Sequence, residues 1–450
     1  MTIGNWVTGD RLPVTMGGDV VRKSDSNRRS NEGAAADAPV AGHRSPVTSF
    51  SSALVTPLSS VPATLHLRSG KDHPVRLGHP WIFSGAIKDL DAGIEPGSIV
   101  RVLAADGRFL GAGYVNARCD IAVRLLTRTD EPIDAAFVRR RVAAARALRG
   151  DVGGADTTAY RLINGEGDLL PGVIADRYDD VVVLQCLTAG AARLKPWLVD
   201  ALRAELAPQA IVERSEGSVR KAEGLPSVAA TAFGEPPAEV IVRENGLRFA
   251  VVPGGGQKTG HFCDQRLSRA LVRKVSAGRR VLDAFAYSGG FGVYAGAGGA
   301  VRVTMVDSSN RALAAAARNC ALNGFDDGRA QFIERDVPRF LRECDETYDL
   351  LVLDPPALVK QRKDLQRGAR AYKDLQLWAL RRAAPGALVF TFTCSAHVDA
   401  ALFRKIVAGA AADAGREVQL LQHLGPGPDH PVALGHPEGE YLHGLLLRVH

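Results

Sequence analysis

The pattern of hydrophobic and polar positions separates a polar N-terminal segment from three segments with regular periods. Residues 1–60 show no hydrophobic period and are rich in Gly, Ser, Ala, Asp and Arg. Such a composition cannot bury enough apolar surface to offset the entropy that is lost when a chain becomes ordered. We therefore predict that residues 1–60 form a disordered extension.

Short runs of alternating hydrophobic and polar residues begin at Ala63. The runs "ATLHLRS", "SIVRVLAADGRFLGAGYVN" and "IAVRLLTR" have the period of two that is typical of half-buried strands. The tripeptide "ADG" in the second run supplies a hairpin turn. These runs predict a small β-barrel domain over residues 63–130.

The next segment, residues 131–255, mixes both periods. In "AAFVRRRVAAARALRG" apolar residues recur every three to four positions, which predicts a linker helix. The stretch "YRLINGEGDLLPGVIADRYDDVVVLQCL" is typical of one β-hairpin with a Gly/Pro turn, and "LKPWLVDALRAEL" of a helix. Strands follow in "AIVERS" and in "EVIVRENGLRFAVVP", where "ENG" joins the last two. We predict a small central α+β domain.

From residue 256 to residue 450, strand and helix patterns alternate. The runs "YDLLVLDPP" and "ALVFTFTCS" are apolar throughout, as in strands that are buried on both faces. The last two strands, "REVQLLQHL" and "YLHGLLLRVH", form a predicted antiparallel pair. The alternation predicts a doubly wound, mostly parallel sheet, so the fold class is α/β with a Rossmann-like C-terminal domain. Ligands bind such sheets at the carboxyl ends of the strands.

Polar residues stand at the predicted carboxyl ends of the first three strands of this domain. Asp283 ends the first, and a glycine-rich turn follows from Tyr287. Asp307 ends the second, where an acid can accept hydrogen bonds from both ribose hydroxyls, and Asp336 ends the third. The order "YSGGFG" lacks the G-x-G-x-x-G spacing of a diphosphate site, so we predict an adenosine ligand such as S-adenosylmethionine (SAM). The alternative interpretation of Asp283 and of Asp336 is a helix cap.

A second group of candidate residues follows the fourth strand. Asp354 is placed at the strand end, and Pro355 and Pro356 restrict the backbone behind it. A carboxylate that is held rigidly beside the cofactor suits the recognition of a flat heterocycle. Enzymes that methylate exocyclic amino groups usually have an aromatic residue after this motif, and here the residue is Ala357. This argues against methylation of an amino nitrogen.

Cys394 ends the predicted fifth strand, next to the strand that leads to Asp354. A thiolate that adds to C6 of a pyrimidine makes C5 nucleophilic enough to accept a methyl group, and the thiolate is the reactive form. The N-terminus of the helix near Val398 would favour this thiolate. The alternative interpretation is a buried packing cysteine, which is common.

Charge and composition favour a polyanionic partner. The formal net charge is +7 and the pI is about 9.2. Between Lys360 and Arg382, eight Lys and Arg and two Asp follow the Asp-Pro-Pro motif, which suits phosphate binding, although a solvated helix face has the same composition. The first domain interleaves basic and aromatic residues, and Trp81 and Phe83 can equally be core residues. Predicted RNA-binding residues are Pro355, Pro356, Lys360, Arg362, Lys363, Arg68, Lys71 and Trp81.

The cysteine pattern and the lengths of the apolar runs argue against several other classes of protein. The six cysteines form neither a CxxC pair nor a Cys/His cluster, which argues against a zinc site and against a disulfide framework. No apolar run is long enough to cross a bilayer, and the N-terminus lacks the order of a signal peptide. We expect a cytoplasmic protein with no metal and no membrane partner, present as a monomer or a homodimer.

Taken together, the motifs resemble one family. The segments "RLGHPWIFSGAI", "GQKTGHFCDQR", "VLDAFAYSGGFGVYA", "LVLDPPALVK", "FTCSAHVD" and "DHPVALGHPEGEYLHGLLLRV" look like the class I SAM-dependent methyltransferases that modify cytosine C5 in bacterial large-subunit (23S) ribosomal RNA. The resemblance runs from about residue 63 to the end and keeps the motif order. The first 60 residues have no counterpart in it.

The resemblance implies a PUA domain, a central α+β domain and a methyltransferase domain, the last over residues 256–450. It implies that Cys394 is the nucleophile and that Asp354 contacts the target base and assists at cytosine N3. The cofactor-binding positions that it implies are Gln265, Arg266, Asp283, Tyr287, Gly289, Gly290, Asp307 and Asp336.

Three other functions stay open at this point. Methylation of uracil C5 uses the same thiol chemistry, whereas methylation of guanine N7 needs no thiol. A non-catalytic RNA-binding or ribosome-assembly factor with the same fold is the third possibility.

Overall fold

A computed structural model of the chain describes residues 63–91, 93–255, 260–325 and 328–450. The extension predicted for residues 1–60 lies outside these ranges. Among the residues that are described, no helix combines the length and the apolar character that a membrane crossing requires.

The first segment is a six-stranded sheet in the order β2-β6-β5-β4-β1-β3, in which only β1 and β4 are parallel neighbours. Inward residues such as Val100 and Val102 are buried, as the period of two predicts. The elements are β1 (Ala63–Leu67), α1 (His73–Arg76), β2 (Trp81–Phe83), β3 (Ile87–Leu90), β4 (Ser98–Leu103), β5 (Phe109–Val115) and β6 (Ile121–Thr127).

The second segment is a five-stranded sheet in the order β11-β10-β9-β8-β7, which α2 precedes and on which α3 packs. Asp134 caps α2, and its carboxylate accepts a hydrogen bond from the backbone N–H of Phe137 at 2.8 Å. The elements are α2 (Ala135–Leu148), β7 (Ala159–Asn164), β8 (Val173–Tyr178), β9 (Val181–Cys186), α3 (Ala189–Leu206), β10 (Ala210–Ser215), α4 (Ser218–Ala222) and β11 (Val228–Gly234).

The single hairpin predicted after Tyr160 is wrong, because this stretch contains three strands. The Gly/Pro turn separates β7 from β8 as expected, but a second reversal at Asp179 separates β8 from β9. Asp179 has a φ of 55°, a left-handed conformation that Asp tolerates better than most residues. Without a glycine at this turn, the sequence pattern looked continuous. Neither α4 nor β11 was predicted.

A two-stranded hairpin, β12 (Val240–Glu244) and β13 (Leu247–Val251), turns at "ENG" as predicted. Asn245 and Gly246 have φ values of 49° and 81°, which suit a tight hairpin turn. The hairpin packs on the C-terminal helices, since the hydroxyl of Tyr294 donates to the carbonyl of Glu244 and the N–H of Ala250 donates to Asn319. Packing therefore joins the hairpin to the C-terminal domain, whereas the predicted boundary at residue 255 separates them.

The C-terminal sheet has seven strands in the order β16-β15-β14-β17-β18-β20-β19, and β20 runs opposite in direction to the other six. Strand order reverses between β14 and β17, which is where such sheets bind ligands. The elements are α5 (Arg266–Val275), β14 (Arg280–Ala284), α6 (Gly290–Ala297), β15 (Arg302–Asp307), α7 (Asn310–Leu322), β16 (Ala330–Glu334), α8 (Val337–Glu343), β17 (Tyr348–Leu353), α9 (Leu365–Arg382), β18 (Ala383–Thr393), α10 (Ala400–Ala414), β19 (Val418–Leu424) and β20 (His443–Val449).

A buried carboxylate, Asp429, joins the central and C-terminal domains. Its Oδ1 accepts from Nη2 of Arg266 at 2.9 Å, and its Oδ2 accepts from the backbone N–H of Arg161 at 3.2 Å. Its carbonyl accepts from Arg149 at 2.8 Å. Burial opposes ionisation, but the neighbouring imidazole of His430, with Nδ1 3.4 Å from Oδ1, and the hydrogen-bonded guanidinium of Arg266 outweigh it, so the pKa of Asp429 lies well below its ordinary value.

We predict that Asp429→Ala lowers the free energy of unfolding by about 3–5 kcal/mol, because it leaves the buried guanidinium of Arg266 without its anion. Urea unfolding measures the change. Asp413→Ala is the matched control, because Asp413 pairs with Lys373 on the surface and its loss should cost only about 0–1 kcal/mol. Equal losses in the two variants would contradict the prediction.

Candidate active site

Asp283 lies at the carboxyl end of β14 and is buried. Its Oδ2 accepts a hydrogen bond from the backbone N–H of Gly292, in the first turn of α6, at 2.8 Å. Burial raises the pKa of Asp283 to about 7; the N–H of Gly292 opposes the rise, and the nearby carboxylates of Asp354 and Asp307 add to it. A carboxyl group that titrates near neutrality marks this edge of the sheet as a candidate functional site.

The loop that follows β14 has an unusual backbone. Phe285, Tyr287 and Gly289 have φ values of 66°, 47° and 74°, so three of five consecutive residues are left-handed. For the two aromatic residues this conformation costs about 1–3 kcal/mol each, and such strain clusters at functional sites. Hydrogen bonds hold the loop, since the N–H of Phe285 donates to the carbonyl of Val306 at 2.9 Å.

Three glycines let this loop approach its neighbours. A Cβ at Gly289 would lie 2.8 Å from Cβ of Ala316 on α7, and a Cβ at Gly292 would lie 2.5 Å from the methyl carbon of Met305. At Gly290 the nearest atom would be Cδ of the Arg269 side chain, 3.2 Å away. Close packing, together with the positive φ of Gly289, therefore requires glycine in this turn.

Asp307 ends β15 and holds the same loop. Its Oδ2 accepts from the N–H of Tyr287 and its Oδ1 from the N–H of Ser309, both at 2.9 Å. Each carboxylate oxygen has a second lone pair, so the group can still accept from ribose hydroxyls. Asp336 stands two residues beyond β16 and caps α8, where its Oδ1 accepts from the N–H of Arg339. The helix-cap interpretation therefore holds for Asp336.

The segment before α5 also reaches this loop. The rings of Phe262 and Tyr287 meet edge to face, with centroids 5.3 Å apart. Gln265 is buried, and neither atom of its side-chain amide has a hydrogen-bond partner. Since a buried unsatisfied amide costs about 1–3 kcal/mol, it is suited to a polar ligand. Arg266 instead points to Asp429 at the domain junction.

The target side of the site is made by β17 and β18, which pair in parallel with Leu353 opposite Thr391. Asp354 follows β17 and is half-buried, and Cys394 follows β18 and is also half-buried. The Sγ of Cys394 lies 3.9 Å from the carbonyl oxygen of Pro355. The structure therefore brings the thiol to the Asp-Pro-Pro loop, as the sequence predicted.

The helix after Cys394 begins later than expected. It starts at Ala400, and Asp399 is its cap, with a carboxylate that accepts from the N–H of Leu402 at 2.7 Å. The carboxylate of Asp399 therefore already lies at the positive end of this helix. We expect the helix to favour the thiolate of Cys394 less than the sequence predicted.

The predicted basic segment divides into two parts. Lys360, Arg362 and Lys363 are exposed in the loop between Asp354 and α9. At the far end of α9, Arg382 donates to the carbonyls of Leu341 and Arg342 and so serves packing. The loop therefore remains suited to binding phosphate groups, whereas the whole segment does not.

The residues predicted to bind RNA in the first domain lie in two environments. Arg68 and Lys71 are exposed, although Nε of Arg68 donates to the carbonyl of Ile87. Trp81 is half-buried, its indole N–H donates to Glu166 at 2.8 Å, and its ring lies 4.4 Å from that of His436. Trp81 therefore contributes to contacts between domains.

Among the residues described, one group has the composition of a metal site: His79, His436 and Glu438. Both rings lie within 3.2 Å of Oε2 of Glu438. However, the backbone N–H of Trp81 donates to Nδ1 of His79 at 3.1 Å. Nε2 of a neutral His79 must then carry the proton, so it donates to Glu438 and has no lone pair for a metal.

Comparison with known proteins agrees with this architecture. Residues 207–425 match the family model of S-adenosylmethionine-dependent methyltransferases, and residues 65–128 match that of PUA-like domains. Ribosomal RNA large subunit methyltransferase I of Shewanella denitrificans is 41% identical over 392 residues, which cover 86% of this chain and 99% of that protein. The protein of the same name from Pseudoalteromonas atlantica is 41% identical over 391 residues, with 86% and 98% covered.

This chain belongs to the ribosomal RNA large subunit methyltransferase I family. In fold it is similar to a candidate SAM-dependent methyltransferase from Streptococcus mutans, with a TM-score of 0.75, 23% identity, and 86% of this chain and 99% of that one covered. A candidate methyltransferase solved in complex with SAH gives the same values. The predicted fold class and the predicted cofactor, SAM, are confirmed.

The residues present fit this cofactor. The strained glycine loop, the acid at the end of β15 and the unsatisfied amide of Gln265 together offer hydrogen-bonding groups and close backbone approach. Sequence reasoning missed Phe262 and Phe285. The signal for Phe262 was its place inside the "GHFCDQR" motif, whereas nothing in the sequence marks Phe285 as left-handed.

We predict that Gly289→Ala weakens SAM binding by about tenfold or more, because the new Cβ would push the loop away from Ala316. Isothermal titration calorimetry measures the affinity. Gly278→Ala is the control, because Gly278 has a similar φ of 71° but open space around its Cβ position. Unchanged affinity in Gly289→Ala would contradict this role for the loop.

Asp283→Asn should stabilise the protein in a pH-dependent way. The folded-state pKa of about 7 lies above the unfolded value, so the carboxyl favours folding fully below about pH 4 and loses that contribution as the pH rises through 7. The neutral amide has no such loss. The advantage of the variant in thermal unfolding should therefore grow between about pH 4 and pH 7 and then level off. A difference that does not vary with pH would contradict the raised pKa.

Proposed function

We propose that the protein methylates C5 of a cytosine in large-subunit ribosomal RNA through a covalent bond between Sγ of Cys394 and C6 of the base. The observation that carries the proposal is the approach of this thiol to the Asp-Pro-Pro loop, where Sγ lies 3.9 Å from the carbonyl oxygen of Pro355. The substrate class is inferred from the names of the relatives, ribosomal RNA large subunit methyltransferase I. A ribosomal RNA substrate also favours the expected cytoplasmic location.

The proposed mechanism uses the two neighbouring loops that carry Cys394 and Asp354. The thiolate of Cys394 adds to C6 of the base, and the electron pair of the C5–C6 bond makes C5 nucleophilic. Asp354, on the neighbouring loop, holds the base by donating the proton of its carboxyl group in a hydrogen bond to N3, which accepts it. The cofactor supplies an electrophilic methyl group. Transfer of this group to C5 would leave S-adenosylhomocysteine behind. A base then takes the C5 proton, the electron pair of the C5–H bond re-forms the C5–C6 double bond, and the bond between Sγ and C6 breaks to release the thiolate.

The cofactor is proposed to bind beside the carboxyl end of β14 in the same sheet. Asp307 is proposed to accept hydrogen bonds from the ribose, and Asp336 to receive the adenine amino group with an oxygen not used for the helix cap. Asp283 orders the glycine loop through the N–H of Gly292. Gln265 supplies amide hydrogen bonds from the segment before α5.

The RNA is proposed to lie along the exposed basic residues. Lys360, Arg362 and Lys363 follow the Asp-Pro-Pro loop and would contact phosphates next to the target. The target base must leave its stack to reach the thiol, so these contacts would hold the flanking backbone. Contacts from the first domain are assigned to the exposed Arg68 and Lys71, because the predicted third residue, Trp81, is engaged in contacts between domains.

We predict that Cys394→Ala lowers methyl transfer to ribosomal RNA by about three orders of magnitude or more, as removal of a nucleophile does. Transfer from labelled SAM to RNA from cells that lack the protein measures it. RNA that contains 5-fluorocytosine should form a covalent adduct with the unaltered chain and none with the variant, because fluorine cannot leave C5 as a proton does.

Cys344→Ala is the matched control. Cys344 is another half-buried cysteine, which follows α8, outside the site. Near-normal transfer by Cys394→Ala would refute the covalent mechanism. Mass spectrometry of the product nucleosides identifies the base, and methylated uracil at C5 would replace cytosine in the proposal while leaving the thiol chemistry in place.

A further inference from the structure

A fully buried tyrosine on α9, Tyr372, lies beneath the two loops of the proposed reaction centre. Its hydroxyl accepts a hydrogen bond from Oγ1 of Thr393 at 2.9 Å and lies 2.9 Å from Oγ of Ser395. These two residues flank Cys394 in sequence. One phenol therefore holds the chain on both sides of the thiol.

The same group of hydroxyls also holds the Asp-Pro-Pro loop. Oγ of Ser395 accepts from the backbone N–H of Val359 at 3.1 Å, and the N–H of Leu358 lies 3.5 Å from the hydroxyl of Tyr372. These two residues come shortly after Asp354. Ser395 and Tyr372 therefore connect the segment around Cys394 with the Asp-Pro-Pro loop.

This polar contact is a local exception in an apolar interface. The side of α9 that faces β18 is otherwise formed by residues such as Leu375 and Leu380, which belong to a large hydrophobic cluster. Tyr372 and Gln376 are four residues apart on one helix face, and Gln376 donates to Thr391 at 2.6 Å. With Thr391 and Thr393 on one face of β18, they form a row of two hydrogen-bonded pairs, and Thr393 of the second pair directly precedes Cys394 in the chain.

Buried hydrogen bonds of this kind fix geometry, because each donor and acceptor has few alternative partners. If the phenol hydroxyl were removed, Thr393 and Ser395 would rotate or shift to find new partners. The backbone of Cys394 lies between them and would shift as well. A displacement of about 1 Å at a reacting group can lower a rate by about 10²-fold.

We propose that Tyr372 is a positioning residue that holds Cys394 and the Asp354 loop at reacting distance through the hydroxyls of Thr393 and Ser395. The inference rests on the proposed function, since it assigns the geometry of that nucleophile. It does not give Tyr372 a contact with substrate or cofactor.

The test compares Tyr372→Phe with Tyr348→Phe. Tyr348 is an equally buried tyrosine in the same cluster, but it lies at the start of β17, at the opposite end of the strand from Asp354. Its hydroxyl donates to Glu346. Each variant loses one buried phenol hydroxyl and keeps its ring, so a general loss of stability affects both.

Two readouts are needed, and a merely structural role would change neither. The first is kcat for methyl transfer with KM for SAM, measured on the folded protein. The second is the rate of alkylation of Cys394 by iodoacetamide as a function of pH, followed by mass spectrometry of its peptide. For Tyr372→Phe we expect kcat to fall by about 10²-fold with KM for SAM little changed, and the alkylation profile to shift. Tyr348→Phe should match the unaltered chain in both.

A double variant checks the route of the effect. Thr393→Val added to Tyr372→Phe should lower kcat little further, because both changes break the same row of hydrogen bonds. Additive losses would overturn the proposal, as would an unchanged kcat or an unchanged alkylation profile in Tyr372→Phe. The alkylation readout does not require Cys394 to be the nucleophile, and Cys394→Ala decides that point separately. Failure of the positioning role is therefore distinguishable from failure of the proposed function.

Discussion

The parallel pairing of β14, β17 and β18 is the constraint on which the site depends. Ala284 pairs with Leu353, and Leu353 pairs with Thr391, so the three strands end at one edge of the sheet. Asp283 lies at the end of β14, and the loops that leave β17 and β18 carry Asp354 and Cys394. Residues that are about 110 positions apart in the chain become neighbours because parallel strands present their carboxyl ends together.

Acidic residues cluster at this edge of the sheet, and buried ion pairs nearby stabilise the segments around it. Arg269 on α5 donates to both oxygens of Glu244 at 2.7 Å and to the carbonyl of Phe262 at 2.8 Å. Burial opposes ionisation of Glu244, but Arg269 and His261 outweigh it and lower its pKa to about 2. The side chain of Arg269 also lies against the glycine loop at Gly290. The β12–β13 hairpin therefore supports the cofactor side of the sheet.

The local pattern predicted most elements but not all of the turns. The turn at Asn245 was recognisable because Asn-Gly suits two left-handed residues in sequence. Asp179 adopts a left-handed turn without a glycine beside it, so the strands on its two sides looked like one. Tyr372 was not predicted at all. A tyrosine at an inward helix position is typical of a core residue, and only its hydrogen bonds to Thr393 and Ser395 separate it from one.

The sequence by itself determined the α/β alternation, the wholly apolar parallel strands, and the residues Asp283, Asp307, Asp354 and Cys394 at their ends. These follow from local periods and from the topology rule that parallel strands obey. Only the tertiary structure decided that Arg266 belongs to the domain junction, that Trp81 contacts Glu166, and that α9 connects the two loops of the site. Side-chain partners from distant segments decide such roles, and no local period in the chain encodes which partner a buried polar group will find.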